Sequence, residues 1–222
     1  MKLLTYQDIK NNEAIKTYIR RADESLIAMG YTEHSFAHVT KCAQDAYRLL
    51  KELGYSQRQC ELAQIAGYLH DIGNVINRTD HAQSGAVMAF RLLDQLGMPA
   101  DEISTVISAI GNHDEGTAVP VNPVAAALIL ADKSDVRRSR VRTSLEAKNF
   151  DIHDRVNYAV EDSSLKVRRE EGLVTLKLRI DTSITAVMDY FEIFLSRMTL
   201  CRAAAAYLGL DFELIINETR ML

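Results

Sequence analysis

The sequence lacks the features that mark membrane and secreted proteins. No stretch approaches the roughly 20 apolar residues that a membrane-spanning helix requires. The longest apolar run, Val124–Ala131, suffices only for a strand or a short helix. The first residues, Met1–Asp8, have no sustained apolar segment of the kind found in signal peptides. We therefore expect no membrane partner.

Cysteine is also scarce. Cys42, Cys60 and Cys201 are scattered and form neither a metal-binding pair nor an even-numbered disulfide set, which predicts a reducing, cytoplasmic location. The formal net charge of −4 disfavours binding to a nucleic-acid polymer. Hydrophobic residues make up 47% and charged residues 25% of the chain, as is typical of globular proteins.

Most of the first 150 residues have helical periodicity. Apolar spacing and end signals predict helices at about residues 8–29, 33–53, 56–70, 81–96 and 100–110, and a sixth after Pro123. Ser56 and Gln59 match a capping box at the start of the third helix. We expect Asp80 or Thr79 to cap the fourth. Residues 73–80 and 112–122 are predicted loops.

The last third of the sequence changes character. Its patterning predicts a β-hairpin, with strands at Leu165–Arg169 and Val174–Ile180 around the turn Glu170–Gly172. A long helix is predicted at residues 183–208, and a further strand at Phe212–Asn217. The predicted fold class is mainly α. A helical core at residues 1–150 is expected to carry a small C-terminal α+β appendage, residues 151–222, packed against it.

The stretch Gly67–Asn74 places His70 and Asp71 side by side at the end of a predicted buried helix. Two ionisable neighbours are costly there unless something satisfies them. A divalent metal satisfies both, because neutral imidazole and carboxylate are good ligands for transition metals. An exposed pair at a helix end is the alternative interpretation of the dipeptide alone.

The other histidines favour the metal. Five of the six lie between positions 34 and 113, namely His34, His38, His70, His81 and His113. Taken singly, His38 is more typical of a core or surface residue, His81 of a capping or exposed residue, and His113 of a solvated loop. Asp132 ends the longest apolar run, so it is expected to be a buried carboxylate that needs a partner. Taken together, these residues predict a metal centre.

The pattern resembles the HD-domain superfamily of metal-dependent phosphohydrolases. The similarity covers about residues 30–140 and is close around Ala66–Gly73 and Leu130–Lys133. It implies an HD-type helical core in which one metal is held by His38, His70, Asp71 and Asp132. His34, one turn before His38, is then expected to contact the ligands without binding the metal itself.

His81 and His113 extend the resemblance to the dinuclear subgroup. That subgroup includes cyclic-dinucleotide phosphodiesterases and symmetric dinucleoside-polyphosphate hydrolases. The resemblance implies that these two histidines hold a second metal, with Asp71 bridging. Asn74 stands where many members have a lysine that contacts phosphate, and the Gly-Tyr-Pro signature is missing after His113. Cyclic-dinucleotide cleavage is therefore disfavoured, and Asn74 is kept as a candidate substrate contact.

The implied cofactors are two divalent metal ions. A ligand set of imidazoles and carboxylates favours iron or manganese, with magnesium, cobalt, nickel or zinc as alternatives, over calcium. The absence of cysteine ligands disfavours a structural zinc. Two such ions would supply a metal-bound hydroxide and clamp a phosphoryl group.

A basic run follows Asp132, and the sixth helix is expected to extend through it, over residues 133–142. Lys133 and Arg137 are candidates for binding the substrate's phosphate, as is Lys41, one turn from His38. A solvated helix face is the expectation for the other basic residues, Arg138, Arg140 and Arg142.

The catalytic candidates are Asp71, Lys133 and Asp114. Asp114 and Glu115 flank the predicted ligand His113, so they would serve either as general acid or base, or as ordinary exposed loop acids.

The sequence thus predicts an HD-type phosphohydrolase that acts on a nucleotide or another small phosphate ester. Two alternatives share the same residues. A mixed-valent di-iron oxygenase of the superfamily would use the same six ligands, and a non-catalytic sensor would use the metal structurally. The strands of the appendage offer a surface for a homodimer.

Overall fold

The computed structural model describes residues 3–142 and 151–222. These residues form nine α-helices: α1 (Tyr6–Asn11), α2 (Glu13–Ala28), α3 (Phe36–Glu52), α4 (Gln57–Leu69), α5 (His81–Gln95), α6 (Ala100–Gly111), α7 (Pro123–Lys133), α8 (Ile152–Ala159) and α9 (Val187–Tyr207). Four strands form one sheet: β1 (Val160–Arg168), β2 (Leu173–Ile180), β3 (Asp211–Ile216) and β4 (Thr219–Arg220). The predicted class, a helical core with a small α+β appendage, is confirmed.

Caps explain two of the helix starts. The capping box of Ser56 and Gln59 begins α4 as predicted. The single helix predicted at residues 8–29 is instead two, because the side chain of Asn12 accepts hydrogen bonds from the amides of Ala14 and Ile15 and so starts α2. The cap predicted for α5 is wrong, since Asp80 has a φ of 56° and makes no side-chain cap hydrogen bond.

Helix α7 forms the centre of the helical core. Every residue from Val124 to Ala131 is at most 1% exposed, and α7 packs against α3, α4, α6 and α9. A helix that is apolar on all sides belongs in an interior, which accounts for the run found in the sequence. The predicted extension over residues 133–142 is wrong: α7 ends at Lys133, and Arg138–Arg140 form a separate 3-10 turn.

Helices α3 and α4 approach each other closely at Gly67. A Cβ atom at this position would lie 2.8 Å from the Cα and 2.8 Å from the backbone nitrogen of Ala43, so only glycine fits there. This approach brings the side of α3 that carries His38 next to the C-terminal end of α4, where His70 lies.

The sheet has the order β1-β2-β3-β4. The predicted hairpin is confirmed: β1 and β2 are antiparallel, with Leu165 opposite Leu176. Strand β3 lies parallel to β2, and α9 supplies the crossover that a parallel pair requires. Helix α8 and strand β4 were not predicted. The inward residues Leu176 and Leu214 are fully buried and belong to the same hydrophobic core as the helices.

The outer edge of β1 lies against α3. Arg48 of α3 donates a hydrogen bond of 2.8 Å from its guanidinium to the backbone carbonyl of Leu165. On the neighbouring part of the strand, the hydroxyl of Ser163 donates to the carbonyl of Ser134, over 2.6 Å. Side chains therefore tie β1 to the helical core.

The predicted division at residues 150 and 151 falls beside residues 143–150, which lie outside the described residues, and it stays a prediction. One hydrophobic core includes residues from Ile9 in α1 to Ile216 in β3. Within residues 3–142 and 151–222, none of the helices combines the length and apolar composition needed to cross a membrane.

Candidate metal centre

Five elements bring the six predicted ligands to one place. His38 lies in α3, His70 and Asp71 follow α4, His81 begins α5, His113 follows α6 and Asp132 lies near the end of α7. The four histidines are at most 2% exposed and Asp71 is 4% exposed. The structure therefore brings together residues that are distant in the sequence.

The first cluster joins two imidazoles and two carboxylates. The Nε2 atom of His38 lies 3.4 Å from Oδ2 of Asp71 and 3.3 Å from Oδ1 of Asp132. The Nε2 atom of His70 lies 3.2 Å and 3.7 Å from the same two oxygens. These separations place four acceptor atoms around one point.

The second cluster adjoins the first through Asp71. The Nε2 atoms of His81 and His113 lie 3.2 Å apart. Oδ1 of Asp71 lies 3.5 Å from Nε2 of His81. Asp71 thus directs Oδ2 to the first cluster and Oδ1 to the second. Asn74 fixes this orientation, because its side-chain amide donates to Oδ1 of Asp71 over 2.9 Å.

A partner on Nδ1 orients each imidazole. His38 contacts Oδ2 of Asp135 at 2.7 Å. The other three contact backbone carbonyls: Gly67 with His70, Arg78 with His81 and Ile110 with His113. All four partners accept hydrogen bonds, so each neutral ring carries its hydrogen on Nδ1 and directs the lone pair of Nε2 into the centre.

Two acceptor atoms at the centre lack donors. Nε2 of His70 and Oδ2 of Asp71 are buried and have no hydrogen-bond partner. Because His81 and His113 both use Nδ1 as donor, their facing Nε2 lone pairs repel each other unless a cation lies between them. Buried, unpaired acceptors of this kind are costly. Imidazole and carboxylate donors in this number fit a first-row divalent metal.

The charges in the first cluster also indicate a site for a cation. Burial lowers the pKa of His70, but Asp71 and Asp132 outweigh it and raise this pKa to about 10. Burial likewise lowers the pKa of His38, and the hydrogen bonds to Asp132 and Asp135 help to raise it well above its ordinary value. Burial raises the pKa of Asp71, yet the two histidines hold it well below its usual range. The cluster therefore stabilises positive charge at its centre.

In the second cluster, the pKa values of the histidines are lowered instead of raised. Burial lowers the pKa of His81 and lowers that of His113 well below its ordinary value. Both rings are therefore neutral at physiological pH, which is the form that binds a metal.

A thiol lies beside the first cluster. The Sγ atom of Cys42 is 3.7 Å from each ring nitrogen of His38. It falls within a group with His38, His70 and Asp132 whose donor atoms all lie within 4.8 Å of one another. Cys42 was not among the predicted ligands, and the structure places its thiol beside the first cluster.

Lys133 lies at the inner wall of the site. Its Nζ atom is 2.7 Å from Oδ2 of Asp132 and 3.4 Å from Oε2 of Glu115. Arg197 of α9 contacts the other oxygen of Glu115 at 2.5 Å. Burial raises the pKa of Glu115, but Lys133 and Arg197 lower it to about 2. Asp114 is more exposed, with Oδ1 4.0 Å from Nε2 of His81.

Three predicted substrate contacts lie elsewhere. Lys41 pairs with Asp45 on the surface of α3 at 2.5 Å. Arg137 pairs with the buried Asp135 at 2.8 Å. Asn74 is fully buried and donates to Asp71, so it supports a ligand. These side chains are absent from the lining of the cavity described next, as far as the described residues define it.

A cavity of about 200 Å³ opens onto both clusters. Its lining includes Lys133 and His34, whose ring lies edge-on to His38 with centroids 5.3 Å apart. It also includes Arg140, which is only 5% exposed and donates to the carbonyls of Asp135 and Glu33. The expectation that Arg140 is solvated is therefore wrong.

Sequence reasoning missed several lining residues: Tyr31, Arg78, His153, Asp154, Asn157, Phe194 and Arg197. Helices α8 and α9 supply the last five, so the predicted appendage forms part of the wall. Asp135 was also missed, although an aspartate three residues after Asp132 was a visible signal.

Comparison with known proteins finds one family model and several similar proteins. The family model of the HD domain matches residues 35–192, well over half of the chain and all six predicted ligands. An uncharacterized protein from Methanocaldococcus jannaschii is 24% identical over 192 residues, which cover 77% of this chain and 74% of the relative. A solved structure of a predicted HD superfamily hydrolase from an uncultured Thermotogales bacterium has 24% sequence identity and a TM-score of 0.45, covering 56% of this chain and 67% of that one.

Proposed function

The chain belongs to the HD-domain family, and on that premise we propose that it is a metal-dependent phosphohydrolase acting on a nucleotide or another small phosphate ester. The observation that carries the proposal is the convergence of four Nε2 atoms and two carboxylates, of which Nε2 of His70 and Oδ2 of Asp71 are buried without a hydrogen-bond partner. A buried acceptor set of this size requires cations.

The chain offers two metal positions. His38, His70, Asp71 and Asp132 would hold the first, and His81, His113 and the second oxygen of Asp71 would hold the other. When bound, divalent ions neutralise charge on a phosphoryl group and make water a better nucleophile at neutral pH. Iron and manganese are the proposed ions, because imidazole and carboxylate suit both.

Lys133 adds a fixed positive charge at the cavity wall. Burial lowers its pKa, but Asp132 and Glu115 raise it above its ordinary value, so the ammonium group stays protonated. We assign it the binding of a phosphoryl oxygen. Asp114, 32% exposed and 4.0 Å from Nε2 of His81, has access to solvent and would exchange a proton with the leaving group or with water.

Metal content and turnover test the proposal. Protein loaded with Mn(II) or Fe(II) is expected to hydrolyse p-nitrophenyl phosphate or a member of a nucleotide panel. His70→Ala and Asp71→Ala should lose both metal and turnover. The matched control for metal content is His153→Ala, which removes the remaining histidine, 57% exposed. Two metals retained by either ligand variant would contradict the assignment, and turnover that requires dioxygen would favour the oxygenase.

A second pair of variants separates the two positions. His81→Ala and His113→Ala should each leave one metal bound, measured by elemental analysis of the purified protein. Full occupancy in both variants would show that the second position lies elsewhere.

The cellular setting belongs to the same proposal. The three cysteines are buried and free, which suits a reducing cytoplasm. A small-molecule substrate is the proposed partner. A homodimer is tested by the native mass in light scattering.

A further inference from the structure

Four cationic side chains line the cavity beside the ligand clusters: Arg78, Lys133, Arg140 and Arg197. A substrate phosphate is bound best by a cation that has no partner at short range, because a guanidinium or ammonium group that is satisfied within the protein gains little from a new acceptor. The short-range partners of each cation therefore decide which of them is available.

Three of the four have a partner at short range. The charge of Lys133 is paired with Asp132 at 2.7 Å. The charge of Arg197 is paired with Glu115 through Nε at 2.5 Å, and its guanidinium also lies 4.5 Å from the ring centroid of Phe194. Arg140 donates at 2.8 Å and 3.0 Å to two backbone carbonyls. These interactions hold the three side chains against the wall.

Arg78 is different. Its NH1 atom makes only long contacts, 3.4 Å to Oδ1 of Asn74, 3.4 Å to Nε2 of His81 and 4.0 Å to Oδ1 of Asp71. Hydrogen bonds at 3.4 Å are weak. Its Nε and NH2 atoms have no hydrogen bond to a described residue. The side chain is 24% exposed, so its remaining donors are accessible from the cavity.

The surroundings of Arg78 fix its position. Its guanidinium lies over the ring of Tyr31, 5.8 Å from the centroid, and NH1 lies beside His81 and Asp71, which belong to the second ligand cluster. The amide of Asn74 donates to Asp71, so position 74 offers no charge to the cavity. A bidentate cation is thus held next to the second metal position.

We propose that Arg78 binds the phosphoryl group of the substrate, and that its two nitrogen donors face two non-bridging oxygens beside the second metal position. The inference rests on the proposed function and makes it more specific, since it assigns the principal phosphate-binding cation to the loop before α5. Lys133 then contributes less to phosphate binding than Arg78, because its charge is balanced by Asp132 and Glu115.

Phosphate binding tests the inference without turnover. The probe is inorganic phosphate, titrated by calorimetry into protein loaded with Mn(II). We expect Arg78→Gln to bind phosphate roughly 10- to 100-fold more weakly, as for the loss of a charge-assisted hydrogen bond, with two metals still bound. Arg202→Gln is the matched control, since Arg202 is an exposed arginine of α9 and should bind phosphate like the wild type.

Metal titration of the same variants excludes an indirect effect through His81 or Asp71. Phosphate affinity of Arg78→Gln equal to that of the wild type, or restored at saturating Mn(II), would overturn the inference. If Arg78→Gln fails to fold, Arg78→Lys replaces it. Lysine keeps the positive charge but lacks the paired donors of the guanidinium. We therefore expect weaker phosphate binding at full metal occupancy, and unchanged phosphate binding would overturn the inference. Wild-type protein that binds phosphate but hydrolyses no ester would contradict the proposed function alone.

Discussion

At the scale of single residues, the metal centre depends on which nitrogen of each histidine is already used. Three backbone carbonyls and one carboxylate take the four Nδ1 atoms. These four contacts fix both the tautomer and the orientation of each ring, so the Nε2 atoms are held toward a common point before any metal binds. The carboxylate partner, Asp135, is the one of the four that a side-chain substitution can remove.

Asp135→Asn is expected to weaken metal binding. Asp135 is 1% exposed and lies 2.7 Å from Nδ1 of His38, and removing such a partner typically costs roughly 10- to 100-fold in metal affinity. Titration with Mn(II) measures the effect. Asp94→Asn, an exposed residue of α5, is the control. Unchanged affinity in Asp135→Asn would show that the negative charge of Asp135 is not needed, since the amide oxygen of asparagine can still accept the hydrogen bond from Nδ1 of His38.

Metal binding is expected to release protons. The pKa of His70 is raised from its ordinary value of 6.5 to about 10, so the proton on this ring stabilises the metal-free fold below pH 6.5, and that stabilisation is lost as pH rises through 10. A metal must displace this proton, so affinity should increase with pH across this range. At pH 7.5, the binding enthalpy should differ between PIPES and Tris in proportion to their ionisation enthalpies. Equal enthalpies would contradict the prediction.

Residue type explains why the ligands could be predicted and their supports could not. Histidine and aspartate carry the chemistry of a metal site wherever they lie, so the six candidate ligands that the structure brings together could be named from the sequence. The contact between His38 and Asp135 joins residues 97 positions apart, and only the packing of α3 against α7 creates it. The availability of Arg78 likewise depends on distances to neighbours, which no sequence pattern contains.

At the scale of elements, the start of α5 is positioned by a close contact with the turn after α4. A Cβ atom on Gly73 would meet the carbonyl oxygen of His81 and would lie 2.5 Å from the backbone nitrogen of Gly85. The turn and the helix can therefore touch only because residue 73 is glycine. That contact sets the distance between His81 and Asp71.

Gly73→Ala should disrupt the second metal position selectively. The added methyl group must push the start of α5 away, which costs about 1 to 3 kcal/mol of unfolding free energy, as for an overpacked core. We expect a lower Tm in calorimetry and a metal content that falls from two toward one. Gly116→Ala is the control, since nothing lies within 4 Å of a Cβ atom there. Two metals in Gly73→Ala would show that α5 tolerates the displacement.

Helix ends were predictable where a side chain makes the cap, as at Ser56 and Gln59. They were not predictable where tertiary structure decides. The basic run after α7 has no feature that forbids a helix, yet the chain leaves the helix at Ser134, and Arg140 turns inward to donate to the carbonyls of Asp135 and Glu33. Buried acceptors of other segments determined this path.

At the scale of the whole molecule, the helices and the sheet share one hydrophobic core, with α9 packed on α7. Arg197 of α9 and Asp154 of α8 reach the same cavity as the ligands of the helical core. The part of the chain that the sequence marks as an appendage therefore completes the wall of the site.

Thermal unfolding should follow from this shared core. We expect one cooperative transition in calorimetry, with EDTA lowering its Tm, because the metals bind the folded state and not the unfolded chain. The control is EDTA added to His70→Ala, whose Tm should not change further. Two separable transitions, with the later one insensitive to EDTA, would show that the sheet and the metal-binding helices unfold independently.

The bond from Arg48 to the carbonyl of Leu165 bears on self-association. A sheet with an open edge can recruit a strand from another molecule, which leads to strand-swapped dimers or to aggregates. Here the guanidinium occupies an acceptor that an incoming strand would need, and α3 lies alongside β1. At the opposite edge, β4 has only two residues and pairs only with Ile215 and Ile216 of β3, so it covers that edge in part. Joining of two sheets into one is thus disfavoured at the β1 edge, and Arg48→Ala would remove the donor that occupies this carbonyl.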